Sequence, residues 1–118
     1  MGVSVMLGIG TDIVEVRRVR EIKRIERFVR RVLHEDEVAI YNGFCSEVRR
    51  VEFLAGRFAA KEAVYKAIPD LCEGRKFSDF CILNDDLGKP YLREPEIPEL
   101  LLSISHCREY AMAVAVIS

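Results

Sequence analysis

The feature that most constrains the fold is a long helical pattern over residues 46–68, which contains the string FLAGRFAAKEAVYKA. At about 100° per residue, its apolar side chains share one face, which is expected to be buried. Glu62 lies near the middle of that face, whereas Arg57 and Lys61 are expected on a flank. A carboxylate on an apolar face is costly unless a cation or a hydrogen-bond donor compensates it, so Glu62 requires an explanation. The face is formed by Val51, Leu54, Ala55, Phe58, Ala59 and Tyr65.

The rest of the chain predicts strands on both sides of this helix. Before it, we expect a strand over 5–16 that Gly8 and Gly10 interrupt, as at a bulge or a close backbone approach. Pro69 is expected to end the long helix. This order predicts a single α+β domain over residues 1–118, in which a long buried helix packs on an antiparallel sheet. The other expected elements are helices over 17–33 and 35–42, a hairpin of 77–83 with 89–93, and a hairpin of 101–106 with 110–117.

Composition argues against a membrane protein and against a disulfide-stabilised one. There is no run of 18 apolar residues, and the N-terminus lacks the basic region and cleavage signature of a signal peptide, so a cytoplasmic protein is expected. The cysteines are scattered, without a metal-binding spacing, and are expected to be free thiols that act as small core residues. They are Cys45, Cys72, Cys81 and Cys107.

Charge is concentrated in one segment. Residues 17–31 hold eight Arg or Lys against two Glu and carry +6, whereas the rest of the chain carries −7. The arginines recur at helical spacing, and Phe28 borders their stripe. Such a stripe indicates an anionic partner, either an acidic protein helix or a polyanion. The negative balance elsewhere and the lack of an aromatic stacking platform argue against nucleic acid.

A second carboxylate is the candidate partner for Glu62. Asp12 interrupts the apolar strand GIGTDIVEV just after two glycines, which do not complete a dinucleotide-binding fingerprint. Two carboxylates together with waters and substrate phosphates are a usual way of holding Mg²⁺. The alternative is that Glu62 simply pairs with Lys66, one turn along the helix. Nearby groups suited to phosphate are Arg57, Lys61, Lys66 and His106.

Three blocks of the sequence together resemble holo-[acyl-carrier-protein] synthases, the small 4′-phosphopantetheinyl transferases. They are GIGTDIVEVRRV, FLAGRFAAKEAVYKAI and SISHCREYAMAVAVI, supported by the pattern FxxRVLxxxE that begins at Phe28 and by GKPY over 88–91. The blocks occur in the family's order and span nearly the whole chain. The resemblance implies the 4′-phosphopantetheinyl transferase fold and transfer of the phosphopantetheine arm of coenzyme A to a serine of an acyl carrier protein, with release of adenosine 3′,5′-bisphosphate.

The resemblance also implies roles for individual residues. Asp12 and Glu62 would hold Mg²⁺, and Glu62 or a metal-bound water would receive the serine proton. Lys66 would hold a phosphate, Lys61 or Arg57 would support the site, and His106 would face the nucleotide. The first helix would dock the carrier, with Arg18 as the best match and Arg17, Arg24, Arg27 and Phe28 added by the stripe. The family is typically a homotrimer with coenzyme A sites at subunit interfaces.

The chain departs from the family pattern at two points. Lys66 is followed by AIPDLCEGRKF where relatives have Gly-Thr-Gly, so Gly74 is expected to take part of that role at the coenzyme A. Cys107 follows the motif histidine where relatives often have Asp or Thr. Three other hypotheses stay open here: a nucleic-acid-binding module, a metal-dependent phosphohydrolase that uses Asp12 and Glu62, and an inactive scaffold.

Overall fold

The structure is a computed structural model that describes residues 7–118, so the first two residues of the strand expected over 5–16 lie outside the described residues. Within these residues, five strands and five helices follow one another. Before the long helix lie β1 (Gly8–Glu15), α1 (Val16–Arg20), α2 (Ile25–Val32) and α3 (Glu35–Gly43). The long helix is α4 (Glu47–Ala67), and α5 (Pro69–Cys72) and a 3-10 turn (Phe77–Asp79) follow it. The chain ends with β2 (Cys81–Asn84), β3 (Pro90–Glu94), β4 (Leu100–His106) and β5 (Tyr110–Ile117).

The strands form two antiparallel sheets. The larger has the order β1-β5-β4, and the smaller is the hairpin of β2 and β3. Both predicted hairpins are therefore confirmed, although residues 77–79 are a 3-10 turn rather than strand. In the larger sheet Asp12 lies opposite Ala113 on β5, and Ala113 lies opposite Ile104 on β4. The first and last thirds of the chain thus form one sheet, and the predicted α+β fold with a long helix on an antiparallel sheet is confirmed.

Helix α4 lies unusually close to β1 because small residues meet there. A Cβ atom on Gly10 would lie 2.0 Å from the carbonyl oxygen of Ala63, and one on Gly8 would lie 2.1 Å from that of Ala67. Only glycine allows the strand backbone to reach the helix backbone at these points. The close approach predicted from the two glycines is confirmed, and it sets the separation between Asp12 on β1 and Glu62 on α4.

The helix predicted over 17–33 is in fact two helices separated by residues 21–24. Val16 and Val19 of α1 and Val29 and Val32 of α2 belong to the same buried cluster. A straight helix would separate these two pairs by more than two turns, and it would stack arginines at i, i+3 and i+4, which is unfavourable. Breaking the segment buries both valine pairs and lets the arginine rows diverge.

The buried positions of α4 differ from the prediction in one respect. Lys61 is fully buried and Arg57 is 5% exposed, whereas Phe58, Glu62 and Tyr65 are only half-buried. The expectation that Arg57 and Lys61 lie on a flank is therefore wrong, because they point into the protein. The predicted apolar face is buried at Val51, Leu54, Ala55 and Ala59, whereas Phe58, Glu62 and Tyr65 line open clefts. The helix begins with Ser46, whose Oγ accepts a hydrogen bond from the Arg49 amide.

The structure also tests the expectations for the cysteines and for Pro69. All four cysteines are free, and Cys72 and Cys81 are buried, but Cys45 and Cys107 are exposed and were wrongly expected in the core. Pro69 does end α4, and it occupies the first turn of the short helix α5, where a missing amide hydrogen costs nothing. Among residues 7–118, no helix is long and apolar enough to cross a membrane.

Candidate active site

Asp12 and Glu62 line the same open cleft between β1 and α4. Asp12 points to the helix side of the sheet, as Gly8 and Gly10 do, because alternate residues of a strand share a face. Lys66, one turn beyond Glu62, donates hydrogen bonds to Asp12 Oδ1 at 3.2 Å and to the Thr11 carbonyl at 2.9 Å. The structure thus brings together the two predicted carboxylates, with the predicted cation beside them.

Glu62 lies in surroundings that disfavour its charged form. Burial raises the pKa of the Glu62 carboxyl above its ordinary value, the nearby Asp12 charge raises it further, and Lys66 lowers it. Lys66 therefore compensates the two carboxylates only in part, and it bonds directly to Asp12 rather than to Glu62. A carboxylate with a raised pKa is suited to accepting a proton near neutral pH, and two carboxylates facing one cleft are suited to a divalent cation.

The same cleft has a basic and apolar wall. Arg18 of α1, Phe28 of α2 and Phe58 of α4 line it together with the two carboxylates. The Phe28 and Phe58 rings pack with their centroids 5.4 Å apart, which joins the basic segment to the helix that carries Glu62. Two of the five predicted partner-binding residues, Arg18 and Phe28, therefore lie directly at the candidate site.

The other three predicted partner-binding residues lie around this wall. Arg17 is exposed and lies 4.0 Å from Glu21, one turn along. Arg24 is the residue just before α2, and Arg27 is exposed in its first turn. The basic segment is therefore spread over two helices and a turn, and its part in binding remains a prediction.

His106 and Arg57 line a different cleft of the same chain. His106 Nδ1 lies 3.2 Å from Glu52 Oε1, near the start of α4, about ten residues before Glu62. Its strand, β4, is separated from β1 by β5. The histidine expected near the carboxylates therefore does not meet them within one chain.

This second cleft is basic and partly aromatic. Arg57 is held in it by hydrogen bonds from Nε to the Ile82 carbonyl at 3.1 Å and from Nη2 to Asn84 Oδ1 at 2.7 Å. Its guanidinium carbon lies 4.5 Å from the centre of the Phe53 ring. Arg49 also lines the cleft, and sequence reasoning missed it together with Phe53 and Asn84. Arg49 lies two turns before Arg57 on α4, and this spacing could have drawn attention to it.

Lys61 has a structural position that excludes direct contact with a ligand. Its Nζ donates to Glu37 Oε1, and to the carbonyl oxygens of Val32, Phe77 and Phe80 at 2.6, 3.0 and 2.7 Å. Burial lowers the pKa of the Lys61 ammonium, and the Glu37 carboxylate opposes that change. The expectation that Lys61 is available to bind a phosphate of coenzyme A is therefore wrong, because its three hydrogens are all engaged with acceptors inside the protein.

Gly74 lies in the turn between α5 and Arg75 with φ +81°. This left-handed conformation favours glycine, so the backbone geometry alone explains why a glycine stands at this position. A role for Gly74 at coenzyme A remains a prediction.

Lys66, by contrast, is half-exposed beside Asp12 and is free to approach a phosphate in the cleft.

Comparison with known proteins agrees with this geometry. The family profile of the 4′-phosphopantetheinyl transferase superfamily matches residues 8–115. A holo-[acyl-carrier-protein] synthase of Geobacillus sp. (strain WCH70) is 44% identical over 115 residues, which cover 95% of this chain and 96% of that protein. One from Anoxybacillus flavithermus is 43% identical, with 95% of each chain covered.

Solved structures give the same result. A holo-(acyl-carrier-protein) synthase from Bacillus anthracis in complex with CoA (3′,5′-ADP) superposes with a TM-score of 0.82 at 39% identity, covering 97% of both chains. The Helicobacter pylori enzyme in complex with coenzyme A superposes with a TM-score of 0.77 at 30% identity, covering 93% of this chain and 99% of that one. The chain therefore belongs to the 4′-phosphopantetheinyl transferase superfamily, in its holo-[acyl-carrier-protein] synthase family.

Proposed function

We propose that this chain transfers the 4′-phosphopantetheine arm of coenzyme A to a serine of an apo acyl carrier protein in fatty acid biosynthesis. Adenosine 3′,5′-bisphosphate is the second product. The observation that carries the proposal is the meeting of Asp12 and Glu62 in a cleft whose wall contains Arg18 and Phe28. This arrangement combines a site for a charged phosphate with a docking surface for an acidic protein.

The carboxylate pair fits a magnesium ion. Asp12 and Glu62 face one open cleft, where burial and then the Asp12 charge raise the pKa of Glu62 and Lys66 opposes that change. Hard oxygen ligands of this kind, supplemented by substrate phosphates and water, are what Mg²⁺ prefers. When bound, the ion would neutralise charge on the pyrophosphate oxygens as the reaction proceeds.

The protein's own groups have distinct tasks in the transfer. The serine oxygen of the carrier forms a bond to the β-phosphorus of coenzyme A, and the bond from that phosphorus to the bridging oxygen breaks. Glu62, alone or through a water, accepts the serine proton. Lys66 orients Asp12 through its hydrogen bond and holds a phosphate oxygen as charge moves to the leaving group.

The basic segment recruits the carrier. Carrier proteins of this kind are acidic, so positive charge on α1 and α2 increases the rate of productive encounters. Arg18 is placed to guide the carrier's serine towards Glu62, and Phe28 offers an apolar anchor at the same wall. Arg17, Arg24 and Arg27 would act at longer range, as exposed charges around this contact.

The nucleotide end of coenzyme A is assigned to the second cleft, on a neighbouring subunit. Arg49, Arg57 and His106 give that cleft the charge needed for phosphate, and Phe53 offers a ring surface near them. Since this cleft and the carboxylates lie apart in one chain, a complete site needs two subunits arranged head to tail. A homotrimer closes such an arrangement into a ring.

The outer face of the larger sheet is suited to form the subunit contact. Ile9, Ile13, Leu101 and Met112 lie on the side of the sheet away from α4, and Ile13 is 65% exposed. Four large apolar side chains on one sheet face indicate a surface that is covered in the assembled protein.

Mixing two inactive variants tests the shared site. Glu62→Gln and His106→Ala are each expected to be nearly inactive, but subunits exchanged between them at equal amounts would restore about a quarter of the sites. Recovery of activity supports a site built from two subunits. If mixtures that have demonstrably exchanged subunits stay as inactive as their parents, the two clefts do not combine across an interface.

The release of nucleotide distinguishes transfer from hydrolysis. With coenzyme A and Mg²⁺, the proposal predicts adenosine 3′,5′-bisphosphate only when apo carrier protein is also present. A metal-dependent phosphohydrolase that used Asp12 and Glu62 would release it without a carrier. Chromatography of the nucleotide products, with Asp12→Asn as the inactive control, separates these two reactions.

A further inference from the structure

A groove on the far side of Glu62 from β1 has a floor of four aromatic rings. We call it the aromatic groove. Its floor is formed by Phe28, Phe58, Phe77 and Tyr65. The ring centres of Phe58 and Phe77 are 5.7 Å apart, and those of Tyr65 and Phe77 are 4.8 Å apart. With the contact of Phe28 and Phe58 at 5.4 Å, the four rings form one continuous apolar surface.

Hydrogen bonds from α4 fix both walls of the groove. The Lys61 ammonium joins the end of α2, at the Val32 carbonyl, to the 3-10 turn, at the Phe77 carbonyl. Tyr65 donates its hydroxyl hydrogen to the Arg75 carbonyl at 2.5 Å, which fixes the loop on the other side. Hydrogen bonds from Lys61 and Tyr65 thus join both walls to α4, so the groove is formed without a ligand. Its volume is about 770 Å³, within the range of small-molecule sites.

The rim of the groove is positively charged. Arg30 and Arg31 of α2 lie on one side, and Arg75 and Lys76 of the loop lie on the other. None of the four forms an ion pair with another residue in the range 7–118. Glu62, at the inner end, is the one carboxylate among the described lining residues. An apolar floor with a cationic rim favours a ligand with a neutral body and an anionic end.

The pantetheine arm of coenzyme A also needs a binding surface. The phosphorus that is attacked near Glu62 carries the leaving nucleotide and the pantetheine arm, and the carrier serine approaches it from the side of Arg18. The arm, a neutral chain of methyl and amide groups, needs another path away from Glu62. The aromatic groove and the carrier side share Glu62, Phe28 and Phe58 and no other lining residue, so the groove offers that path.

We propose that the aromatic groove holds the pantetheine arm and that its cationic rim selects coenzyme A thioesters whose acyl group ends in a carboxylate. This inference rests on the proposed transferase function. The acyl thioester stays intact on the arm, and the bonds made and broken at phosphorus are those of the reaction with coenzyme A itself. The product is an acyl-carrier protein that bears the carboxylate from the start.

The test compares two thioesters of similar length, succinyl-coenzyme A and valeryl-coenzyme A, with coenzyme A as the reference. For the wild-type protein, kcat/KM for transfer to the same carrier is expected to be roughly five- to tenfold higher for the succinyl than for the valeryl thioester, and the ratio should fall as salt is added. The double substitution Arg75→Gln with Lys76→Gln should lower the ratio roughly twofold or more, although Arg30 and Arg31 keep part of the positive charge of the rim. The charge-preserving pair Arg75→Lys with Lys76→Arg should retain it and serves as the matched control.

Each outcome decides the proposal. A wild-type ratio of one, or a ratio that the two glutamines leave unchanged, overturns it. A carrier KM that rises equally with all three substrates in the double variant would overturn it too, and would assign the rim to the carrier. Competition binding of the two thioesters to the wild-type protein gives the same ratio without catalysis. If coenzyme A itself is not transferred, the proposed function fails, but this binding ratio still tests the groove.

Discussion

Substituting Gly10 by alanine should separate the two carboxylates of the candidate site, Asp12 and Glu62. The added Cβ would lie 2.0 Å from the Ala63 carbonyl oxygen and 2.8 Å from the Ala67 backbone nitrogen, whereas real Cβ atoms essentially never lie within 3.0 Å of such atoms. Both obstacles are helix backbone, which no rotamer change can remove, so β1 and α4 must move apart by about 1 Å at this point. Overpacking of this kind costs about 1–3 kcal/mol in the free energy of unfolding.

The effect on transfer should exceed the effect on stability. Asp12 is two residues beyond Gly10 on the same strand, so the shift moves it relative to Glu62, and a misplacement of about 1 Å can reduce a rate by about 100-fold. Urea denaturation and the initial rate of carrier modification measure the two quantities. Gly43→Ala is the matched control, because no atom lies within 4 Å of its added Cβ, and it should leave both nearly unchanged. A folded Gly10→Ala protein with a normal rate would refute the argument that backbone contact sets the carboxylate geometry.

Three further predictions concern single charges. Because the pKa of Glu62 is raised in the folded protein, its ionisation opposes folding, so Glu62→Gln should abolish transfer yet increase the free energy of unfolding of the metal-free protein at neutral pH. That gain should vanish as the pH falls below the usual carboxyl pKa, where Glu62 is protonated in both states; equal stability at neutral pH in urea denaturation would contradict it. Arg18→Glu should raise the carrier KM by about tenfold at low salt and leave the coenzyme A KM unchanged, and steady-state kinetics with an unaltered carrier KM would place docking elsewhere. Lys61→Met should cost about 3–5 kcal/mol of unfolding free energy, because it removes the shorter of the two buried ion pairs of Glu37 and the donor to three carbonyl oxygens; denaturation showing a loss below about 1 kcal/mol would refute this.

Much of the fold could be predicted because its signals are local. The period of α4, the alternation in β4 and β5, and Gly8 and Gly10 each depend on a few neighbouring residues. The break at residues 21–24 could not be predicted, because it depends on burying two valine pairs in one distant cluster. The same holds for Lys61, whose charge is acceptable in the core only because acceptors from α2, α3 and the 3-10 turn converge on it.

The candidate site could be predicted only in part, because its residues line two separate clefts of one chain. Asp12 and Glu62 interrupt apolar patterns, and such an interruption is visible in a sequence. His106 and Arg57 were expected beside them, but in one chain they line another cleft, next to Arg49, and only an assembly can bring the two clefts together. Periodicity describes one chain and cannot reveal which edges of a sheet meet in an oligomer.

The most direct test of the central claim is the intact mass of an apo acyl carrier protein after incubation with this chain, coenzyme A and Mg²⁺. A carboxylate pair that activates a carrier serine for attack on coenzyme A predicts a mass gain of one phosphopantetheine arm. The gain should be lost with EDTA and with Glu62→Gln. A carrier that stays unmodified while the folded protein binds both coenzyme A and the carrier would contradict the assignment of Asp12 and Glu62 as the catalytic centre.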